Sequence, residues 1–310
     1  MVFRRLLMTA ALFLLSTTAL WAGGAVELQN VPGSIAGNYD YRSELVMPEQ
    51  VTATYGETGT QDYYIVVAAG SSGDAANRTL TDGAGNTLSY QFVDSAVTRN
   101  VILDNANAQT DQDALTGAFS GPGQQDQPFD VIVPSGQFPP PGQYSDSPLM
   151  TVYDGTVGNG SVFRAQFYGP IDVNVTVPSF VELSLVNAGA PFSAAQSDYM
   201  MDFGVLAAGM SRQVDLVVRS NETFGVSLES ANGGVMAIQS AGDGSTVPYQ
   251  LSVDGSPIDL SGGLPVPVLD ALGPTDLAGR RYQISVEIQD FGFATDGVYQ
   301  DAVTVVVTAQ

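Results

Sequence analysis

Residues 297–310 read GVYQDAVTVVVTAQ, with Val303, Val305 and Val307 alternating with Thr304, Val306 and Thr308. Alternation at period two in β-branched residues marks a strand that lays one face on a core. The stretch has an echo: Gly142, Tyr144 and Asp146 repeat the spacing of Gly297, Tyr299 and Asp301, 155 positions earlier. Phe129, Val131 and Val133 precede Ile284, Val286 and Ile288 by the same 155. Leu88, Tyr90 and Gln91 precede Val247, Tyr249 and Gln250 by 159, and Ser72-Gly73 precedes Gly233-Gly234 by 161. Matches in one order, with offsets that drift by a few residues, describe two copies of one unit with loops of different length.

The unit is all-β. No long 3.6-residue pattern occurs. Short alternating runs are separated by turn formers, and 34 glycines and 17 prolines suit many tight connections. In the first half, strands are expected at 44–47, 51–55, 63–68, 78–81, 88–93, 101–103 and 129–133. The polar stretch 105–113 has no strong signal. Asp154 to Gly160, DGTVGNG, reads as the boundary between units. In the second half, strands are expected at 162–168, 171–177, 180–186, 203–206, 214–218, 224–228, 235–238, 249–253 and 282–288. Residues 264–273 hold two prolines and read as a surface excursion. About seven short strands per unit favour two tandem immunoglobulin-like antiparallel β-sandwiches. The expected domains are 23–155 and 160–310.

Residues 1–22 read as a secretory signal peptide: Arg4-Arg5, an apolar run over 6–15, then small residues, with cleavage after Ala22. The apolar run is shorter than the roughly 20 residues of a spanning helix, so export to the periplasm and beyond is expected. Cysteine and histidine are both absent. That excludes disulfides, thiolate chemistry, and the commonest general base and zinc ligand. All ten basic residues are arginines. The net charge is −22, or −24 once Arg4 and Arg5 are removed, which speaks against nucleic acid as a partner.

The residues also resemble a known family. Asp202-Phe203-Gly204-Val205-Leu206, Arg219-Ser220-Asn221, Ser230-Ala231-Asn232-Gly233-Gly234, Val247-Pro248-Tyr249 and Gly297-Val298-Tyr299-Gln300-Asp301 resemble the spore coat protein U domain of archaic chaperone–usher pilus subunits. The first half resembles it less closely, through Leu88-Ser89-Tyr90, Pro139 to Gly142 and Tyr144-Ser145-Asp146. Many members carry a disulfide, which this chain cannot form. The resemblance implies an incomplete, pilin-type sandwich in the second half. A strand from a periplasmic pilus chaperone or a neighbouring pilus subunit would complete it by strand addition, with an outer-membrane usher as a further partner and a surface pilus as the location. Val303, Val305 and Val307 would form the contact strand. They lie close to the last residue, and no later segment is expected to cover their edge.

Two-domain members resemble tip adhesins, which assigns 23–155 to adhesion and 160–310 to the fibre. The competing assignment makes Val26 and Leu28 a donor strand for a neighbour, as in a shaft or adaptor subunit. A reading from another class is a free-standing secreted carbohydrate-binding or hydrolytic protein.

No catalytic, cofactor or metal site is expected. Serines lack an activating histidine or lysine, Asp202-Phe203-Gly204 stands without the rest of the kinase set, and Asp82 to Asn86 lacks the ligands of a calcium loop. The candidate adhesive loop comprises Phe119, Phe138, Pro139 and Pro140, where an aromatic beside glycine or proline could contact an unknown surface ligand. The competing expectation is that each phenylalanine folds back as a lid on the core. Tyr144 and Tyr299, at matching points of both units, are expected to serve as structural corner tyrosines.

Overall fold

The computed structural model describes residues 25–96, 98–158, 164–240 and 244–310. The expected signal peptide lies outside the described residues. The first half contains β1 (Glu27–Gln29), β2 (Ser34–Asn38), β3 (Leu45–Tyr55), β4 (Gln61–Val67), β5 (Thr79–Thr81), β6 (Thr87–Ser89) and β7 (Gln91–Asp94). It continues with β8 (Leu115–Phe119), β9 (Gly123–Val133), β10 (Gly142–Asp146), β11 (Met150–Asp154), β12 (Arg164–Tyr168) and β13 (Asp172–Val177). The second half contains β14 (Val181–Val186), β15 (Ser211–Ser220), β16 (Phe224–Ser230), β17 (Val235–Ile238) and β18 (Thr246–Val253). It ends with β19 (Ser256–Ile258), β20 (Val266–Leu272), β21 (Arg280–Ile288), β22 (Tyr299–Gln300) and β23 (Val303–Ala309). Among the described residues the only helical turns are two short 3-10 segments.

Two separate hydrophobic cores organise these strands. The first gathers residues such as Val51, Ile65, Leu80, Phe92, Phe129 and Val175; the second gathers Leu216, Phe224, Leu228, Leu251, Ile284 and Ile288. The first sandwich has sheets ordered β1-β3-β9-β7, β2-β13-β10-β5-β6 and β12-β11-β4-β8; the second has β14-β15-β21-β18-β17-β22 and β20-β16-β23. With β2, β12 and β13 removed, the first order reproduces the second. β18 alone does the work of β6 and β7, pairing with β17 through residues 246–248 and with β21 through 249–253. The internal repeat read from the sequence is therefore a repeat of topology.

The boundary lies later than expected. β12 pairs with β11 along its whole length, and β13 pairs antiparallel with β10 and parallel with β2. The described part of the expected boundary, Asp154 to Gly158, leaves the end of β11, whose antiparallel partner β12 lies in the same sheet. The chain passes to the second only at Pro178–Phe180, directly after Val177. The turn-forming composition of 154–160 was equally compatible with a hairpin and a linker, and pairing across the sheet decided between them.

Other differences have local causes. The excursion expected over 264–273 contains β20, which pairs with β16 through an irregular register. It is an edge strand, where Pro267 is tolerated. Residues 203–206 form no strand, and of 101–103 only Val101 makes a bridge, to Val93. The two runs at 44–47 and 51–55 are one strand. Pro48 sits in the part of β3 that has no β1 alongside, again an edge position.

The junction is compact. Asn221 is buried; its Oδ1 accepts from Phe180 N at 2.8 Å, and its Nδ2 donates to Pro178 O at 3.0 Å and Pro139 O at 3.2 Å. Tyr41 meets Phe138 and Phe180 edge-on, at 5.0 and 5.2 Å between ring centres. Its hydroxyl donates to Glu182 at 2.6 Å, and Arg42 pairs with the same carboxylate.

Burial pushes the phenols of Tyr90, Tyr144 and Tyr249 above the ordinary value of 10.0, Tyr144 to about 12. A raised phenol pKa favours the folded state while the group stays protonated. That contribution is complete below pH 10 and declines at higher pH, because the unfolded chain loses its protons first. Urea midpoints should therefore be flat from pH 7 to 9 and fall steeply between pH 10 and 12. In the same range, part of the tyrosine absorbance change at 295 nm should appear only on unfolding.

Candidate functional site: the open edge of the second sandwich

β10 and β11 form one bent strand in the first sandwich, and β22 and β23 form its counterpart in the second. The pairings fix the equivalence: Met150 and Val152 stand opposite Val67 and Ile65 on β4, as Val305 and Val307 stand opposite Leu228 and Val226 on β16. The same local chemistry holds both bends. Tyr144 donates its hydroxyl to Pro140 O, four residues back, at 2.8 Å; Tyr299 does so to Thr295 O at 2.7 Å. These are the expected corner tyrosines, each tying the strand to its approach loop. Asp146 accepts from Tyr90 Oη at 2.6 Å and from Ser71 N at 2.9 Å. Asp301 accepts from Tyr249 Oη at 2.5 Å, Ser230 Oγ at 2.6 Å and Asn232 N at 3.1 Å. In each sandwich one carboxylate pins the turn after β4 or β16 to the bent strand.

Asp301→Ala leaves the Tyr249 and Ser230 hydroxyls without their acceptor. A loss of about 2–3 kcal/mol is expected from stranding such groups. The urea midpoint of the second sandwich measures it, and adding Tyr249→Phe should cost little more.

The two sandwiches differ on the far side of the bent strand. In the first, β12 and β13 run along its whole length. Ile171, Val173, Val175 and Val177 from that segment point into the core and are fully buried. In the second, no described residue pairs with the outer edge of β22 or β23. β14 comes close to β23 without bonding to it. The consequence shows in exposure: Met150 and Val152 are 0% and 2% exposed, whereas Val303, Val305 and Val307 remain partly open. Val298 is 69% exposed and Val306 39%. Between β14 and β15, where β2 would lie by analogy, the segment around Met201 and Phe203 turns these two inward but forms no strand. The second sandwich thus offers an edge of backbone donors and acceptors above half-covered valines, an arrangement suited to an added strand.

The other expected residues fall elsewhere. Phe119 is 5% exposed and stacks between Tyr55 and Tyr63, at 5.6 and 5.3 Å; it is a core residue, not a loop aromatic. Phe138 packs on the first core and on Tyr41 at the junction, Pro139 O accepts from Asn221, and Pro140 O accepts from Tyr144. The half-buried Phe138–Pro140 segment thus contributes to the joint between the sandwiches. Val26 and Leu28 are buried in the first core, and β1 pairs with β3. The completing segment β12–β13 was not assigned this role from the sequence. Its sequence signal is the alternation Ile171, Val173, Val175, Val177, which a boundary at 155–160 places in the second unit.

The family model of the Spore Coat Protein U domain matches residues 46–151, in the half where the resemblance had been read as weaker. Among solved structures, the chain is similar to the chaperone–tip adhesion subunit pre-assembly complex of archaic chaperone–usher Csu pili from Acinetobacter baumannii. The identity is 17%, over 89% of this chain and 98% of that one, with a TM-score of 0.44. It is also similar to the CupB6 tip adhesin from Pseudomonas aeruginosa, at 13% identity over 92% and 94%, TM-score 0.35. A third is CfaE, the adhesive subunit of CFA/I fimbria of enterotoxigenic Escherichia coli, at 10% over 90% and 99%, TM-score 0.30. No curated protein matches the chain.

Proposed function

We propose that this protein is a structural, non-enzymatic subunit of a surface pilus, assembled through a periplasmic chaperone and an outer-membrane usher, and that it occupies the tip. One observation carries the reading: the first sandwich completes its own sheet with β12–β13, while the equivalent edge of the second is unpaired among the described residues. A subunit with one finished and one unfinished sandwich accepts a strand from a neighbour at one end and presents a closed domain at the other. The burial of Val26 and Leu28 in the first core favours the tip over a shaft or adaptor place, because the segment suited to donation is already used.

Val305→Asp tests the reading. Val305 is half-covered, so the stability of the isolated chain should change by about 1 kcal/mol or less. A charge facing the incoming strand should reduce co-purification with the chaperone at least tenfold and remove the protein from fibres. Unchanged chaperone binding and incorporation would overturn strand addition at this edge. Labelling along the shaft instead of at fibre ends would overturn the tip place.

A further inference from the structure

The loop that leads into the bent strand has the same length in both sandwiches. Residues 134–144 of the first align with 289–299 of the second without a gap, at the offset of 155. The bonds from Tyr144 to Pro140 O and from Tyr299 to Thr295 O fix the alignment in space. Phe138 then corresponds to Phe293, and Pro139 to Ala294. Phe138 is half-buried at the joint, with its ring 5.0 Å from Tyr41 and 6.3 Å from Phe180. Pro139 O accepts from Asn221 at 3.2 Å. Their counterparts have nothing against them. Phe293 is 108% exposed, and no described residue donates to Ala294 O.

The residues entering the long central strands repeat the contrast. Val46 on β3 pairs with Ile132, and Ser211 on β15 pairs with Glu287, again 155 apart. Counting back five residues, Tyr41 corresponds to Leu206. Tyr41 meets Phe180 edge-on and donates to Glu182 across the joint. Leu206 is only partly covered, and Val205 beside it is 92% exposed. The path of the chain adds a direction. In the first sandwich the completing strand β13 ends at the joint and runs through residues 178–180 into the next sandwich. A strand entering the second sandwich in the same way would bring its own domain to the end that carries Phe293.

We propose that Val205, Leu206, Phe293 and Ala294 form a second joint, and that it receives a sandwich of a different pilus subunit. The inference rests on the strand-addition reading and adds to it a rigid end-to-end contact outside the groove. The inner joint indicates what the partner presents: an aromatic ring in the place of Phe180, to lie on Phe293, and a side-chain amide in the place of Asn221, to donate to Ala294 O. Leu206 has no polar group to match Tyr41, so no counterpart of Glu182 is needed. A second copy of this chain does not fit. Glu27 pairs with Thr54 as Glu182 pairs with Arg219, which sets Ala25 and Gly56 in the places of Phe180 and Asn221. The far end of the first sandwich therefore offers neither ring nor amide side chain at these places.

The chain has no cysteine, so Phe293→Cys gives the full chain a single thiol, at an exposed position where folding is undisturbed. That thiol should react with maleimide at least tenfold more slowly in purified fibres than in the free chain. Phe167→Cys, at a 69% exposed position on β12, should react at the same rate in both. p-Benzoylphenylalanine in place of Phe293 should, on irradiation of fibres, cross-link to a subunit other than this chain, identified by mass spectrometry of the product. Equal reactivity of the Phe293→Cys thiol in fibres and in the free chain overturns the joint and leaves strand addition standing. Cross-linking to a second copy of this chain overturns the choice of occupant. A wild-type chain that never enters fibres overturns both the joint and the strand-addition reading.

Discussion

A copy of residues 156–177 joined after Gln310 should raise the melting temperature of the second sandwich by roughly 10–20 °C. Gln310 is the counterpart of Gly155, so the appended segment would enter the second sandwich as β12–β13 enter the first. It brings Ile171, Val173, Val175 and Val177, each fully buried in its native place. Burial of such side chains contributes about 1.5–3 kcal/mol apiece. The half-open Val303, Val305 and Val307 would be covered as well. Ordering the added backbone opposes this gain, and pairing of the open edges of β22 and β23 adds to it. For a unit of this size each kcal/mol moves the midpoint by several degrees. Scanning calorimetry reads the shift. Hydrogen exchange should show new protection along β22 and β23, and dependence on the chaperone in the periplasm should fall. An unchanged midpoint with a protease-sensitive tail would mean that the second sandwich has no vacant place for a strand.

The second large effect concerns the same strand in its native setting. Val175→Asp places a carboxylate at a fully buried position, between Tyr144 on β10 and Gly37 on β2. An unpaired charge in such a site costs well over 4 kcal/mol, or forces the strand out. The first sandwich should lose its cooperative transition while the second keeps its own, because the two cores are separate clusters. Two-transition calorimetry distinguishes this from global loss. The contrast with Val305→Asp is the point of the comparison. The same substitution facing the same groove is severe where the strand is present and mild where it is not. Equal destabilisation by the two would show that the second edge is already covered.

The junction explains why the two sandwiches sit as one body despite separate cores. Asn221 belongs to the turn after β15 but bonds to Pro139 of the first sandwich and to the linker at Pro178 and Phe180. Together with the rings of Tyr41, Phe138 and Phe180, it leaves three residues between β13 and β14 little freedom.

Local sequence determined a good part of this. The alternation in 303–307 and 171–177 sets strands because period two can bury only one face of an extended chain. The matched Tyr144–Asp146 and Tyr299–Asp301 spacings fixed the repeat, and with it the corner tyrosines. Those tyrosines were legible because each bonds within four residues of itself. The absence of cysteine and histidine narrowed the chemistry before any fold was known. What local sequence could not determine was which sandwich owned β12 and β13, whether Phe138 met solvent or Phe180, and whether Pro267 ended a strand or lay in an edge. Those answers depend on pairing partners outside the local stretch, or on the opposite side of a joint. Alternation specifies that a strand has a buried face; only the tertiary structure supplies what buries it, and here that difference separates a sandwich that closes itself from one that stays open along an edge.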